Sequence, residues 1–225
     1  MTFFDIVGFD MDGTLLDTSG DLAAAVNHAL ESAGRPPLPV ERIKTMIGGG
    51  ARHMLAQGMA ATGGCDDAEL DMLHRRLLDY YEQHMVIDTA PYPGALDALD
   101  ELAARGVTLA VVTNKIERYA VHVLDALGLS DRFACVIGGD TLPVGKPDPA
   151  PIRAMIERCG IKGAESHAAF VGDSVYDVQA AKAAGVPVIG CSFGFLDRPA
   201  DQLGADVVID GFDDLVPTLE RLAAI

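Results

Sequence analysis

Basic residues are scarce in this sequence. Seventeen Lys and Arg stand against 33 Asp and Glu, a formal charge of −16 over 225 residues. A surface this acidic repels phosphodiester backbones and anionic lipid, so neither nucleic acid nor a membrane is expected as the main partner. A small anionic substrate is not excluded, because a buried site can be locally positive on a negative protein. Long apolar runs are also missing. The longest uncharged stretch, Ala183 to Leu196, has 14 residues interrupted by three glycines and a proline, too short and too broken to span a bilayer. The first ten residues lack a basic region and contain Asp5 and Asp10. No signal peptide is expected there, and the expected location is the cytoplasm. The four cysteines, Cys65, Cys135, Cys159 and Cys191, form no C-x-x-C pair, so free thiols in a reducing compartment are expected. The six histidines show no H-x-x-x-H spacing, which argues against zinc.

Apolar residues make up 49% of the chain, enough for a globular core in one large domain or in one domain carrying an insertion. "FFDIVGF" reads as a first strand. From Ser19 to about His84 the pattern is helical throughout. "GDLAAAVNHALESAG" places Leu22, Val26, Ala29, Leu30 and Ala33 at helical spacing, with Ser19 as the expected N-cap and Gly34 as the stop. "PVERIKTMI", "ARHMLAQGMAA" and "DDAELDMLHRRLLDYYEQHM" read as further helices. After "PYPG" (Pro91 to Gly94) helices and strands alternate: strands are expected at "VTLAVVT", "FACVIG", "AAFVG", "VPVIGC" and "ADVVI", with a helix between most of them and a last one over "FDDLVPTLERLAA". Such alternation implies an α/β fold, a doubly wound and mostly parallel sheet covered on both faces. The helical block is then an insertion. The expected units are a core domain over 1–16 and 90–225 and a helical cap over 17–89, joined near Leu16–Ser19 and Val86–Pro93.

Ligands of open α/β sheets bind beyond the carboxyl ends of the strands, and the unusual polar residues fall there. Asp10 and Asp12 follow the first strand, Thr113 and Asn114 follow "VTLAVV", "GKPDP" (Gly145 to Pro149) follows the next, and Asp173 and Ser174 follow "AAFVG". Any one of these is an ordinary N-cap or turn residue; four stretches converging on one rim point to a site. In extended chain Asp10 and Asp12 project to the same side, with Met11 turned into the core. Two carboxylates so close repel, so that a proton or a cation between them is expected. Oxygen ligands favour Mg²⁺ or a similar hard cation, with Asp173 available to complete the set. Gly13 allows close backbone approach and N–H donors for an anion. "GGDTLPVGKPDP" is not a nucleotide-binding P-loop: five residues rather than four separate Gly139 from Gly145, and Pro147 stands where Ser or Thr is required.

The residues "DMDGT", Thr113 in "VVTNK", Lys146 in "GKPDP" and "GDSVYD" with Asp173 and Asp177 resemble, in order and over essentially the whole chain, the four motifs of the haloacid dehalogenase superfamily. The helical insertion sits where that superfamily carries its small cap. Asp12 is lacking in the true dehalogenases and so points to phosphate monoesters. "IGGGARHML" (Ile47 to Leu55) and "VVTNK" resemble bacterial phosphoglycolate phosphatases. The resemblance implies a cytoplasmic enzyme that hydrolyses a small phosphorylated metabolite, 2-phosphoglycolate first. Sugar phosphates, pyrophosphate or a mutase reaction on the same core are the alternatives, and a phosphate-retaining signalling receiver is a more distant one. It implies Asp10 as nucleophile, Asp12 as acid and base, and Thr113 and Lys146 as phosphoryl-binding groups, with Lys146 also holding Asp10 and Asp173. Mg²⁺ is implied on Asp10, Asp12 and Asp173, with Asp177 and Ser174 standing behind that site. Gly13, Asn114, Gly49 and Arg52 are implied as substrate contacts, Arg52 and, less directly, His53 toward a substrate carboxylate. The assembly is left open between monomer and homodimer.

Overall fold

The computed structural model describes residues 3–160 and 167–224. The chain opens with β1 (Ile6–Phe9) and passes through a two-residue strand, β2 (Leu16–Asp17), into four helices: α1 (Ser19–Ser32), α2 (Val40–Lys44), α3 (Ala51–Ala61) and α4 (Asp67–His84). It returns through β3 (Ala90–Pro91). Then follow α5 (Ala95–Ala104), β4 (Thr108–Val112), α6 (Glu117–Ala126), β5 (Cys135–Ile137), α7 (Ala150–Cys159), β6 (Ala168–Gly172), α8 (Val175–Ala184), β7 (Val188–Cys191), β8 (Val207–Ile209) and α9 (Leu215–Ala223).

Six strands form one sheet in the order β5-β4-β1-β6-β7-β8, every neighbouring pair parallel. The strands read as unbroken apolar runs because both faces are covered. Alternate residues of β4 serve opposite layers: Leu109 and Val111 pack with α5, α6 and α9, whereas Ala110 and Val112 pack with α7 and α8. β6 repeats the division, with Ala169 and Val171 on one side and Ala168 and Phe170 on the other. The direction of strand addition reverses at β1, between β4 and β6. That switch point is where a doubly wound sheet opens a crevice at its carboxyl edge, and it places Asp10 at the mouth of the crevice.

The four inserted helices pack mainly through α1 against α4. Leu70, Leu73, Leu77 and Tyr81 recur along one stripe of α4 and meet Leu22, Val26 and Leu30 of α1 in a core continuous with one face of the sheet. Each such buried side chain contributes roughly 1.5–3 kcal/mol. Asp66 caps α4 by accepting the Glu69 N–H at 2.8 Å.

Several local details depart from expectation. Ser19 is the first residue of α1 rather than its cap. Thr18 precedes it with its hydroxyl spent on Asp12 at 2.8 Å, and Asp17 accepts the Ser19 N–H and hydroxyl. α2 is only five residues long, because the loop with Gly48 and Gly50 at positive φ soon follows. β5 pairs over three residues, as an edge strand. The two crossings into the helical block pair with each other, β2 antiparallel to β3 with Leu16 opposite Pro91 and Asp17 opposite Ala90. The buried Asp21 carboxylate fastens them further: it accepts the N–H groups of Ile87, Asp88 and Thr89 and the Thr89 hydroxyl at 2.6–3.1 Å.

Candidate active site

The backbone after β1 stays tied to the sheet, with Asp10 N–H donating to Val171 carbonyl at 2.9 Å. Beyond Asp10 the chain turns sharply. Gly13 has φ +87°, and a Cβ there would lie 2.3 Å from an oxygen of Asp173, so this turn can approach β6 only as glycine. Thr14 seals the approach by donating its hydroxyl to Asp173 Oδ1 at 2.7 Å, and the Phe195 N–H holds Oδ2 at 2.6 Å.

Asp10, Asp173 and Asp177 are all buried and offer oxygens within 4.8 Å of one another. One ammonium faces them. Lys146 Nζ lies 3.0 Å from Asp10 Oδ1 and 2.6 Å from Asp177 Oδ1, and donates to Val112 carbonyl at 2.7 Å. Its partners are therefore Asp10 and Asp177, which corrects the expected pairing with Asp173. The reason is the start of α8, where Ser174 and Asp177 form a reciprocal capping box that aims Asp177 at the lysine. Burial pushes the Asp10 carboxyl up to about 7, although Lys146 opposes the rise. Asp173 is held well above the usual carboxylate range by burial and by the charges of Asp177 and Asp10. Burial pulls Lys146 down, but the two carboxylates outweigh it and its pKa is raised. Three buried carboxylates against one ammonium leave negative charge over, so this donor set fits a hard divalent cation.

Asp10 receives both Lys146 and the Met11 N–H on Oδ1. Among the described residues Oδ2 has no hydrogen-bond partner, and Asp10 lines the cavity between sheet and helices. Asp12, two residues on, turns to a different cation: Lys115 Nζ lies 2.8 and 2.9 Å from its two oxygens, beside the Thr18 hydroxyl. Each of the paired aspartates thus has its own lysine, which offsets part of the repulsion expected between them. Lys115 is buried, and burial lowers its pKa, but Asp12 and Tyr81 outweigh this and the net shift is upward.

The cavity offers about 50 Å³ to the centres of water-sized molecules, room for a few waters or a small anion at roughly 10–15 Å³ each. Thr113, Asn114, Gly48 and Gly50 stand on its wall. Asn114 spends its amide on structure: Oδ1 accepts the Lys146 N–H, and Nδ2 donates to the carbonyls of Lys146 and Gly48, at 2.9–3.0 Å. Gly49 packs against His53 and Tyr176, and His53 lies 3.3 Å from the Tyr176 hydroxyl in a second cleft shared with Ser174. Arg52 is not brought to the site. It is half exposed and pairs with Asp71 at 2.9 Å and Asp67 at 3.6 Å, because its position on the first turn of α3 faces the start of α4. Two cavity residues escaped the sequence reading. Lys115 was signalled only by following Thr113 and Asn114 at a strand end, and Tyr81 sits within the apolar stripe of α4 and reads as plain core.

A buried carboxylate with one free oxygen, a second carboxylate two residues on and an acid cluster thus meet at the sheet switch point, where α/β sheets bind their ligands. Residues 7–191 match the model of the haloacid dehalogenase-like hydrolases, and the chain belongs to that family; it is an enzyme. Its particular likeness is narrower. It is 42% identical over 218 residues to a phosphoglycolate phosphatase of Agrobacterium fabrum, covering 96% of this chain and 93% of that one. It is 43% identical over 212 residues to a phosphoglycolate phosphatase of Rhodospirillum rubrum, covering 92% and 87%. A crystal structure of a predicted phosphoglycolate phosphatase from Haemophilus somnus superposes with a TM-score of 0.88 at 32% identity, over 97% of this chain and 99% of that one. No helix among the described residues is long and apolar enough to cross a membrane.

Proposed function

We propose that this protein hydrolyses 2-phosphoglycolate to glycolate and phosphate, with Mg²⁺, through an aspartyl-phosphate. The observation that carries the reading is the free Oδ2 of Asp10, on a carboxylate whose other oxygen is fixed by Lys146 and the Met11 N–H. Such a carboxylate is oriented for attack on phosphorus. Its oxygen bonds to phosphorus as the ester P–O bond breaks, and the leaving glycolate oxygen takes a proton from Asp12. A water molecule then attacks the same phosphorus, Asp12 accepts its proton, and Asp10 is released with free phosphate. Thr113 lies at the end of β4 beside the cavity and supplies a hydroxyl for the phosphoryl oxygens. Lys146 balances charge at Asp10 throughout. Asp10, Asp173 and the main-chain carbonyl of Asp12 would hold Mg²⁺, whose chemistry is to offset phosphate charge facing the nucleophile. The helical segment 17–89 acts as a cap over the core formed by 1–16 and 90–225, and its closure excludes bulk water from the first step.

The substrate assignment is supported by the relatives called phosphoglycolate phosphatases at about 40% identity over nearly the whole chain. Phosphate release from 2-phosphoglycolate, sugar phosphates, pyrophosphate and nucleotides, with Mg²⁺ and with chelator, tests it. The expected result is Mg²⁺-dependent turnover, fastest on 2-phosphoglycolate, and lost by about four orders of magnitude in Asp10→Asn. Turnover that survives both chelator and that substitution would sink the mechanism.

A further inference from the structure

Tyr81 presents an unusual group. It is only 2% exposed, its hydroxyl is buried, and among the described residues that hydroxyl has no hydrogen-bond partner. Buried hydroxyls are almost always paired, because an unpaired one carries its full desolvation cost. Lys115 lies close, its Nζ 4.9 Å from the centroid of the Tyr81 ring. The ammonium acts on the phenol by charge and by side-chain contact, opposing the upward shift that burial imposes, yet it lies over the ring and leaves the hydroxyl without a hydrogen-bond partner among the described residues. Both residues line the active-site cavity. The neighbouring Tyr119 differs, since its hydroxyl accepts from Arg118 at 2.8 Å.

Lys115 is also incompletely used. An ammonium has three donors, and Asp12 engages it at 2.8 and 2.9 Å. Among the described residues it is the one basic side chain on the cavity wall, which is otherwise largely apolar on its helical side, with Leu22, Ile47, Met54 and Leu77. Arg52 points elsewhere.

We infer that Lys115 and Tyr81 together form the subsite for the carboxylate of the substrate and so determine the preference for carboxylated phosphate esters. The remaining ammonium N–H and the orphan phenolic O–H are two donors on the cavity wall, suited to the two oxygens of a carboxylate on a substrate whose phosphoryl group lies at Asp10. The rest of the wall is largely apolar and offers nothing to a polyhydroxylated chain, and the small cavity restricts the substrate to a short link between its two anionic groups. The assignment rests on the proposed hydrolysis and adds the residues that select among its substrates.

The test compares kcat/KM for 2-phosphoglycolate and for 2-hydroxyethyl phosphate, which keeps the skeleton but replaces the carboxylate by a hydroxymethyl group. It uses the full chain with Mg²⁺, as wild type, Tyr81→Phe and Lys115→Gln, each checked for an intact fold by circular dichroism and thermal melting. Wild type should favour the carboxylated ester by 100-fold or more. Tyr81→Phe should lower that ratio about tenfold, through KM, and Lys115→Gln about 100-fold, as expected for hydrogen bonds to a charged group. Equal slowing on both esters, or a wild type without preference, overturns the subsite while leaving the hydrolase reading standing. Should Lys115→Gln fail to fold, Tyr81→Phe carries the comparison. Should wild type turn over neither ester, the phosphoglycolate reading itself fails, and calorimetric titration of 2-phosphoglycolate into wild type and Tyr81→Phe decides the subsite: weaker binding by the variant supports it, and equal affinity overturns it.

Discussion

Replacing Lys146 by methionine gives a sharp test of the charge arrangement beneath the site. The side chain is 1% exposed, so the change keeps most of its volume and removes one buried ammonium. That ammonium lies 3.0 Å from Asp10 and 2.6 Å from Asp177. At such distances and an effective dielectric near 20, each pair has roughly 5–6 kcal/mol of gross attraction. Desolvation cancels much of it, but breaking a buried pair from one side still costs about 3–5 kcal/mol, since the carboxylates stay behind uncompensated. For a chain of this size that is a fall in Tm on the order of 10 °C. The loss must depend on pH. A carboxyl raised to about 7 in the fold binds its proton better there than in the unfolded chain. Its contribution to stability is therefore complete below about pH 4 and is lost as pH rises through 7. Without Lys146, which opposes the rise, the Asp10 carboxyl holds its proton further up the scale, and its ionisation becomes costlier. Melting in chelator should accordingly show a smaller difference between wild type and Lys146→Met at pH 5, where the Asp177 pair alone is lost, and the full difference at pH 8.5. The same loss at both pH values would mean that packing, not charge, sets the effect. No loss at pH 8.5 would remove Lys146 as the counter-ion of the cluster.

Three further outcomes follow from the geometry. Mg²⁺ at about 100 times its Kd should stabilise wild type by about 3 kcal/mol, a rise of roughly 5–10 °C in Tm. The rise should be larger at pH 8 than at pH 6, because Asp10 and Asp173 must shed protons to bind the cation; a pH-independent rise would place the ion elsewhere. Arg52→Ala removes an exposed pair with Asp71 and Asp67 and should alter stability by less than about 0.5 kcal/mol and KM for 2-phosphoglycolate by less than about twofold, whereas a tenfold rise in KM would restore Arg52 as a substrate contact. Asp21→Ala leaves three N–H groups and a hydroxyl without their acceptor and should cost about 3 kcal/mol; denaturation in urea gives the measurement, and a change below 1 kcal/mol would show that water replaces the carboxylate.

The sheet was legible in the sequence because strands covered on both faces carry apolar runs that nothing in a loop or exposed helix imitates. The rim was legible for a related reason: Asp10, Thr113 and Asp173 each interrupt such a run at its carboxyl end, so their convergence follows from parallel strands alone. Partnership was not legible. Whether Lys146 meets Asp173 or Asp177 depends on the rotation of α8 set by one capping box, and whether Arg52 faces the cavity depends on how α3 lies on α4. A pattern of period 3.6 marks Tyr81 as buried and stops there. That its hydroxyl is buried without a partner among the described residues is a property of three dimensions, as is the separate lysine behind each of the two leading aspartates.

The pairing of Leu16 with Pro91 and of Asp17 with Ala90 has a consequence for how such a chain changes over evolutionary time. Geometrically it is a β-hairpin whose turn has grown to residues 18–89. Both ends of the segment leave the sheet at one point and in a fixed register, so the strands that hold Asp10, Thr113 and Asp173 never sense how long that turn is. Insertions, replacements and rearrangements of the helices can accumulate there while the acid cluster stays in place. One junction thus allows the helical segment to vary independently of the sheet that carries the acid cluster.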